Sequence, residues 1–347
     1  MKALVTGGGG FLGTRIVEML LERGDVPVAL GRNRYAHLDK LGVQTVQADL
    51  RDPQAVKDAC EGMDVVFHVG ALAGIWGPSH LFWDINAGGT ANVLAGCRAH
   101  GVSRLVYTSS PSVVFGNDAL CGVDESQPYP AKHTADYPKT KASAERMILK
   151  ANRPELRTVS LRPHLIWGPN DPHIIPRLLE RARKGRLKQV GDGTNLVDIT
   201  YIDNAADAHL QAADALDSHD ACCGRAYFIS QGEPVALWPW INELLESLGA
   251  PCVRKSVSYG MADTIGRVLE TVYRTCRLKG EPPMTRFVAS QLAKSHYFCI
   301  DAARRDLGYE PRVSTEEGMA RLIDWMSTPS KIQRGPISVA KPQIKSA

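Results

Sequence analysis

Tyr137-Pro138-Lys139-Thr140-Lys141 has the form Tyr-x-x-x-Lys. On a helix, residues four apart share a face. An ammonium there lowers a neighbouring phenol's pKa by charge attraction. Tyr137 can then pass a proton to or from a carbonyl or hydroxyl oxygen near neutral pH. The spacing alone arises by chance, and its surroundings strengthen it. About thirty residues upstream an apolar run ends in Tyr107-Thr108-Ser109-Ser110. A hydroxyl at the C-terminal end of a strand faces the crevice where α/β sheets bind ligands. Ser110 is therefore expected to hold a substrate oxygen against Tyr137, with strand-end capping as the competing role for Ser109 and Ser110. A second tyrosine, Tyr129, has His133 four residues on and lies between Pro128 and Pro130, which marks a loop residue.

A second constellation sits at the N-terminus, in Thr6-Gly7-Gly8-Gly9-Gly10-Phe11-Leu12-Gly13. It follows an apolar run and opens a helical pattern. Gly7 permits a tight turn, Gly10 lets backbone approach a pyrophosphate, and Gly13 lets helix pack on strand. The free N–H groups and positive dipole end of that helix suit a phosphate. The loop therefore predicts a dinucleotide site. Lys141 would then also hold the nicotinamide ribose. The end of the second strand, Val28-Ala29-Leu30-Gly31-Arg32-Asn33-Arg34, carries no carboxylate to accept from an adenosine ribose. Arg32 and Arg34 suit a 2′-phosphate instead, so NADP(H) is expected in preference to NAD(H). Solvated surface arginines are the bland reading. Asp49-Leu50 should lie near the adenine, unless Asp49 only caps the helix beginning near Pro53.

Strand-like runs at Lys2–Thr6, Val26–Gly31, Val43–Ala48, Val65–Val69, Arg104–Ser109 and Thr158–Arg162 alternate with helical patterns at Thr14–Arg23, Pro53–Cys60, Phe82–His100 and Lys139–Ala151. That alternation predicts an α/β, Rossmann-type, doubly wound parallel sheet with right-handed crossovers. After Arg162, Pro163, Pro169, Pro172 and Pro176 break the chain into loops. A helix is expected over Asp203–Leu216 with Asp203 as N-cap, then a strand at Ala226–Ser230. Helices follow at Ala236–Leu248, Ser258–Lys279 and Thr315–Met326. The boundaries read as a dinucleotide-binding domain over 1–163, its sheet completed from 196–235. Residues 164–195 and 236–329 form a smaller interleaved C-terminal substrate lobe, and 330–347 a flexible polar tail. Trp76, Trp83, Phe115, Trp167 and His173 follow strand ends and are candidates to line an apolar pocket, with core packing as the alternative. His164 and Pro111 join them as candidate substrate contacts. Ser258–Lys279 is amphipathic, with arginines among its polar positions. It reads as a lid, a shallow membrane contact or a plain surface helix.

Composition narrows the class. The 347 residues include 44% hydrophobic and 22% charged, which argues against disorder. A net charge of +4 with dispersed basic residues argues against a nucleic-acid partner. No apolar run is long enough to span a bilayer, and no signal-peptide pattern opens the chain, so a cytoplasmic protein is expected. Eight cysteines without a Cys-x-x-Cys pair read as reduced thiols, and the ten histidines show no metal spacing.

Together these residues resemble the extended short-chain dehydrogenase/reductase family over roughly residues 1–327. Phe67-His68-Val69-Gly70-Ala71 is similar to that family's fourth strand and cofactor-facing turn. Asn86-Ala87-Gly88-Gly89-Thr90 resembles its Asn-x-x-Gly-Thr segment, and Leu161-Arg162-Pro163-His164 its run into the nicotinamide pocket. Tyr201-Ile202-Asp203-Asn204-Ala205-Ala206-Asp207-Ala208 resembles its late helix start. The resemblance implies catalytic roles for Ser110, Tyr137, Lys141 and Asn86, the last supporting an active-site water and the helix geometry. It implies cofactor contacts from Val69, Gly70, Ala71, Thr108 and Pro163, and a homodimer paired through 82–100 and 139–151. Tyr107–Val114, Leu161–Pro169 and Val190–Asp207 resemble the 3β-hydroxysteroid and 4-carboxysterol dehydrogenase branch. Phe67–Gly77, Leu165–Gly193 and Tyr227–Pro234 are similar to bacterial enzymes of that branch acting on 2-alkyl-3-oxoalkanoates. The implied chemistry interconverts a 3-oxo and a 3-hydroxy group on a hydrophobic substrate. Alternatives are a steroid or sterol 3-dehydrogenase, with decarboxylation or isomerisation, and a nucleotide-sugar epimerase or dehydratase. Phe115–His133 departs from the pattern as a variable insertion beside the site. A non-catalytic nucleotide sensor would have lost Tyr137, Lys141 or Ser110, and all three are present.

Overall fold

The computed structural model describes residues 1–116 and 118–328. Seven parallel strands form the central sheet: β1 (Lys2–Thr6), β2 (Val26–Gly31), β3 (Gln44–Gln47), β4 (Val65–His68), β5 (Arg104–Thr108), β6 (Arg157–Pro163) and β7 (Arg225–Ile229). Their spatial order is β7-β6-β5-β4-β1-β2-β3. The order reverses beside β1, which opens a crevice at the strands' C-terminal ends. Successive strand residues bury into opposite layers: Val65 and Phe67 join one core, Val66 the other. Helices α1 (Phe11–Glu22) and, late in the chain, Ile202–Ser218 cover one face. Helices Pro53–Ala59, α2 (Gly89–Ala99) and α3 (Asp136–Ala151) cover the other.

The expected strands are all present, within two residues at each end. The helices differ more. The region expected as one helix over 82–100 is a short helix, Ser79–Phe82, a π-helical turn at Trp83–Gly88, and then α2. Helix α3 starts three residues before the expected Lys139, so Tyr137 and Pro138 lie in its first turn. Proline is tolerated there because the first-turn N–H groups have no intrahelical acceptor. Asp203 is not the N-cap of the 202–218 helix; Tyr201 is. Asp203 instead pairs with Arg15 of α1 at 2.7 Å and with Arg321 at 3.1 Å. Asp49 does not cap the helix at Pro53 either: Asp52 does, accepting from the Gln54 and Ala55 N–H groups. The proline-broken stretch after Arg162 contains a helix that its composition hid, α4 (Ile174–Arg183), with Pro176 in the first turn.

The 202–218 helix is here α5 and packs on α1. Residues 256–257 pair with 189–190, and 196–197 with 235–236 and 296. These short strands knit the late segments together beside α6 (Tyr259–Thr275). The expected tail at 330–347 lies outside the described residues. Among the described residues no helix is long and apolar enough to cross a membrane, and no His, Cys, Asp and Glu group could hold a metal.

Candidate active site

A cavity of about 300 Å³ opens over the first β–α turn. Gly7 has φ +67°, and a Cβ there would stand 2.8 Å from Gly70 Cα. The two backbones can approach this closely only because both residues are glycine. A Cβ on Gly13 would overlap the Gly7 carbonyl. Gly10 is the N-cap of α1 and no side chain caps the helix. Its first-turn backbone at Phe11, Leu12 and Gly13 lines the cavity instead. That is the arrangement a pyrophosphate requires.

Of the expected cofactor residues, Gly7, Gly10, Phe11, Leu12, Gly13, Arg32, Asp49, Leu50, Val69, Gly70 and Ala71 all line this cavity. Arg34 does not, although it is exposed nearby. Thr108, Tyr137, Lys141 and Pro163 also lie outside its walls, further along the crevice. His173, expected on the substrate side, lines the cavity together with Pro172. Asp49 is held by both ends of the Arg51 guanidinium, which keeps its carboxyl below the usual range. Tyr35, which the sequence reading passed over, lies across Gly9 and Gly31 and forms part of the wall.

Ser110 follows β5 and caps the 3-10 turn at Pro111–Val114, accepting from the Ser112 N–H at 3.2 Å. The capping role is therefore filled by Ser110 itself. Burial pushes the Tyr137 phenol above its ordinary value, and the Ser110 hydroxyl pulls it back down. The Lys141 Nζ donates to the Thr108 carbonyl at 2.5 Å and lies 4.3 Å from the centre of the Tyr107 ring. It is thus tied to the end of β5. Burial lowers Lys141 to about 7, with Glu145 one turn later opposing the shift. Thr108 turns its hydroxyl away from the crevice to His209 Nε2 at 2.8 Å.

A directional hydrogen-bond chain runs beneath these groups. The Gly70 N–H donates to Thr6 Oγ1 at 3.1 Å, and the Thr6 hydroxyl contacts His68 Nδ1 at 2.8 Å. His68 Nε2 contacts Thr90 Oγ1 at 2.9 Å, and Thr90 donates to the Asn86 carbonyl at 2.6 Å. Since Thr90 gives its proton to Asn86, His68 donates through Nε2 and accepts through Nδ1. Burial first, and the Lys141 charge second, push His68 down to about 3, so it stays neutral. Asn86 accepts from the Leu72 N–H at 2.7 Å and donates to Thr140 Oγ1 at 3.1 Å. Thr140 in turn bonds the Asp136 and Tyr137 carbonyls. The chain links the glycine turn to the first turn of α3. Its members Thr6, His68, Thr90 and Thr140 are separated by up to 134 residues in sequence, so the motifs that contain them do not reveal that they touch.

Glu145, fully buried, pairs with Arg162 at 2.7 Å and also accepts from Tyr129 and Ser160. The Tyr129 hydroxyl is thereby committed, and burial beside this carboxylate pushes its pKa up. It is no rival to Tyr137. The aromatic candidates separate. Trp167 is core, packed edge-on against Tyr201 and Trp240. Phe115 is also buried, stacked on Phe298 and touching His164 and His296. His164 Nε2 and His296 Nδ1 are 2.7 Å apart, and His296 Nε2 reaches the Gln291 carbonyl. Pro111 is buried in the 3-10 turn that leads into Phe115. Trp83 stays half-buried under Lys139, and Trp76 under Arg274.

Three comparisons bear on this geometry. The 3-beta hydroxysteroid dehydrogenase/isomerase family matches residues 4–257. A protein of Stenotrophomonas maltophilia (strain K279a), named 2-alkyl-3-oxoalkanoate reductase, is 52% identical over 93% of this chain and 98% of its own. The mouse sterol-4-alpha-carboxylate 3-dehydrogenase, decarboxylating, is 33% identical over 93% of this chain and 90% of its own. Among solved structures, MoeE5 in complex with UDP-glucose and NAD superposes with a TM-score of 0.73 at 25% identity, covering 94% of this chain and 98% of that one.

Proposed function

The chain belongs to the 3-beta hydroxysteroid dehydrogenase/isomerase family and is an NAD(P)-dependent oxidoreductase acting between 3-oxo and 3-hydroxy groups; on that premise we propose that it reduces 2-alkyl-3-oxoalkanoates with NADPH. The observation that carries this reading is the hydrogen-bond chain through Asn86 and Thr140, which ties the glycine-floored cavity to the first turn of α3 that holds Tyr137.

The cavity fits a dinucleotide: its uncapped helix N-terminus and the glycine contact leave room only for backbone against phosphate. Held by the glycine turn and the first turn of α1, NADPH would supply a hydride for the C3 carbonyl carbon. Ser110 orients the carbonyl oxygen. The Tyr137 hydroxyl gives its proton to that oxygen as the carbon is reduced, leaving the 3-hydroxy acid. Burial keeps Tyr137 protonated, as an acid in the reductive direction must be. Lys141 braces the Thr108 carbonyl and hence the turn that carries Ser110. Arg32, exposed at the cavity rim with no carboxylate beside it on β2, reads the 2′-phosphate. We assign 164–195 and 236–329 to the substrate lobe, and α2 and α3 to a dimer contact.

The test is NADPH consumption with a 2-alkyl-3-oxo acid by the wild type and Tyr137→Phe. The variant should lose on the order of 10²–10⁴-fold in kcat with an unchanged melting temperature. Full activity in the variant would remove Tyr137 from the mechanism. Oxidation of a 3β-hydroxy-4-carboxysterol with no turnover of the oxo acid would replace the substrate.

A further inference from the structure

Ser110 has more contacts than a strand-end cap needs. Its Oγ accepts from the Ser112 N–H at 3.2 Å and lies 2.9 Å from the Ser112 Oγ. Both contacts come from one residue, one through its backbone and one through its side chain. The 3-10 turn at Pro111–Val114 brings Ser112 back over the N-cap. Pro111, between the two serines, has no N–H, so the Ser112 amide is the first that can reach the Ser110 oxygen.

The two serines differ in setting. Ser110 is half-buried and Ser112 is buried. Pro111, Val113, Val114 and Phe115, the neighbours of Ser112 in the chain, are buried and apolar. A hydroxyl in such a place costs free energy unless it is hydrogen-bonded. Among the described residues Ser110 is the one side-chain partner it has. An alanine would pack there without that cost, so packing does not account for Ser112.

The count of protons does. A serine hydroxyl has one proton to give and two lone pairs to receive with. The 2.9 Å contact can run in either direction. If Ser110 donates to Ser112, its one proton is spent inside the turn. A ketone oxygen, which has no proton of its own, would then have Tyr137 alone as donor. If Ser112 donates, both lone pairs of Ser110 are filled, by the Ser112 N–H and O–H. The Ser110 proton is then free to turn outward. A hydroxyl that already accepts is also a better donor, because hydrogen bonds in a chain polarise one another. A bound carbonyl oxygen selects this second arrangement.

We propose that Ser112 is a positioning residue for the reduction: its hydroxyl and amide fill the acceptor sites of Ser110 and aim the Ser110 proton at the substrate's carbonyl oxygen. Ser112 acts only through Ser110 and touches neither substrate nor cofactor. This role rests on the proposed place of Ser110 against the substrate.

The test is a double-mutant cycle over Ser110→Ala, Ser112→Ala and the two together, read as NADPH consumption with a 2-alkyl-3-oxo acid. Ser112→Ala should lower kcat about ten- to hundredfold, less than the ~10²–10³-fold typical of deleting a donor that touches the oxyanion directly. The KM for NADPH should stay within about threefold of the wild type. Ser112→Thr keeps the hydroxyl and the amide and should recover most of the loss. In the Ser110→Ala background, Ser112→Ala should change nothing further, because residues that act as a unit are not additive. A merely structural serine would lose activity in both backgrounds, and that additive result overturns the proposal, as does full kcat in Ser112→Ala. A second readout needs no turnover. With NADP+ in place of NADPH the oxo acid is held but not reduced, and the infrared band of its ketone reports the hydrogen bond it receives. The band should lie at higher wavenumber in Ser112→Ala than in the wild type, and an unmoved band overturns the proposal. If the wild type leaves the oxo acid untouched and oxidises a 3β-hydroxysteroid, the substrate reading fails; the same cycle on that reaction, with the same expectations, then decides the role of Ser112.

Discussion

Arg32 and Arg34 are chemically equivalent in sequence and unequal in the fold, because only Arg32 lines the cavity. Arg32→Ala should raise the KM for NADPH about ten- to hundredfold, the range expected for losing one charge-assisted phosphate contact. It should leave the KM for NADH nearly unchanged. Arg34→Ala should move neither by more than about threefold, so steady-state kinetics on both variants and both coenzymes decides the assignment. The glycine loop was legible because its demands are local: a positive φ at Gly7 and a close helix–strand approach at Gly13. Lys141 was legible as a residue but not as a contact. Its acceptor lies 33 residues upstream on another element, and nothing in the Tyr-x-x-x-Lys spacing says which way a buried amine turns. Trp167 was open between core and pocket in sequence; its burial against Tyr201 and Trp240 decides it.

Helix α3 carries Tyr137, Lys141 and Glu145 as one column, four residues apart. The lower end of the column is anchored by Arg162 of β6, also buried. Removing one partner of such a pair leaves an uncompensated buried charge. Glu145→Ala should therefore cost about 3–5 kcal/mol in a denaturant titration. Ser160→Ala, which removes one neutral bond to the same carboxylate, should cost only about 1 kcal/mol. Equal losses would mean the ion pair contributes nothing special. The π-helical turn at Trp83–Gly88 plays the matching part on the other side of the crevice, bringing Asn86 between Leu72 and Thr140. Asn86→Ala should lower both kcat and melting temperature, since its side chain satisfies a buried N–H and steadies the first turn of α3. The sequence named Asn86 but read a continuous helix through it, because apolar spacing cannot register one inserted backbone residue.

At the scale of the molecule, buried histidines set the response to acid. His209 contacts the Thr108 hydroxyl and the Ala205 carbonyl, and burial lowers it to about 4. His68 lies lower still, at about 3. Both are depressed in the folded chain, so the stability they confer is present above the unfolded value of 6.5 and lost as pH falls below it. Asp198, raised to about 6 by burial, works in the opposite sense: its contribution is full below the unfolded value of 3.8 and lost as pH rises to about 6. His164 and His296, also lowered by burial, act in the same sense as His68 and His209, so the melting temperature should fall between pH 6.5 and 4. His209→Gln should flatten that fall, by on the order of 2 kcal/mol at pH 5. Scanning calorimetry across the range checks it.

The strand order has a consequence for how the chain is made. Each strand after the first lands beside one already synthesised: β2 and β4 on β1, β3 on β2, then β5, β6 and β7 each on its predecessor. The sheet can thus grow outward as the polypeptide leaves the ribosome, without waiting for its C-terminus. One step is slow. Roughly sixty residues separate β6 from β7, which at ~5–20 residues per second is roughly 3–12 s of elongation. Through that interval the outer edge of β6 presents unpaired backbone to every neighbouring nascent chain. Polypeptides stalled between residues 164 and 224 should be the aggregation-prone ones, and those released after Ile229 should not.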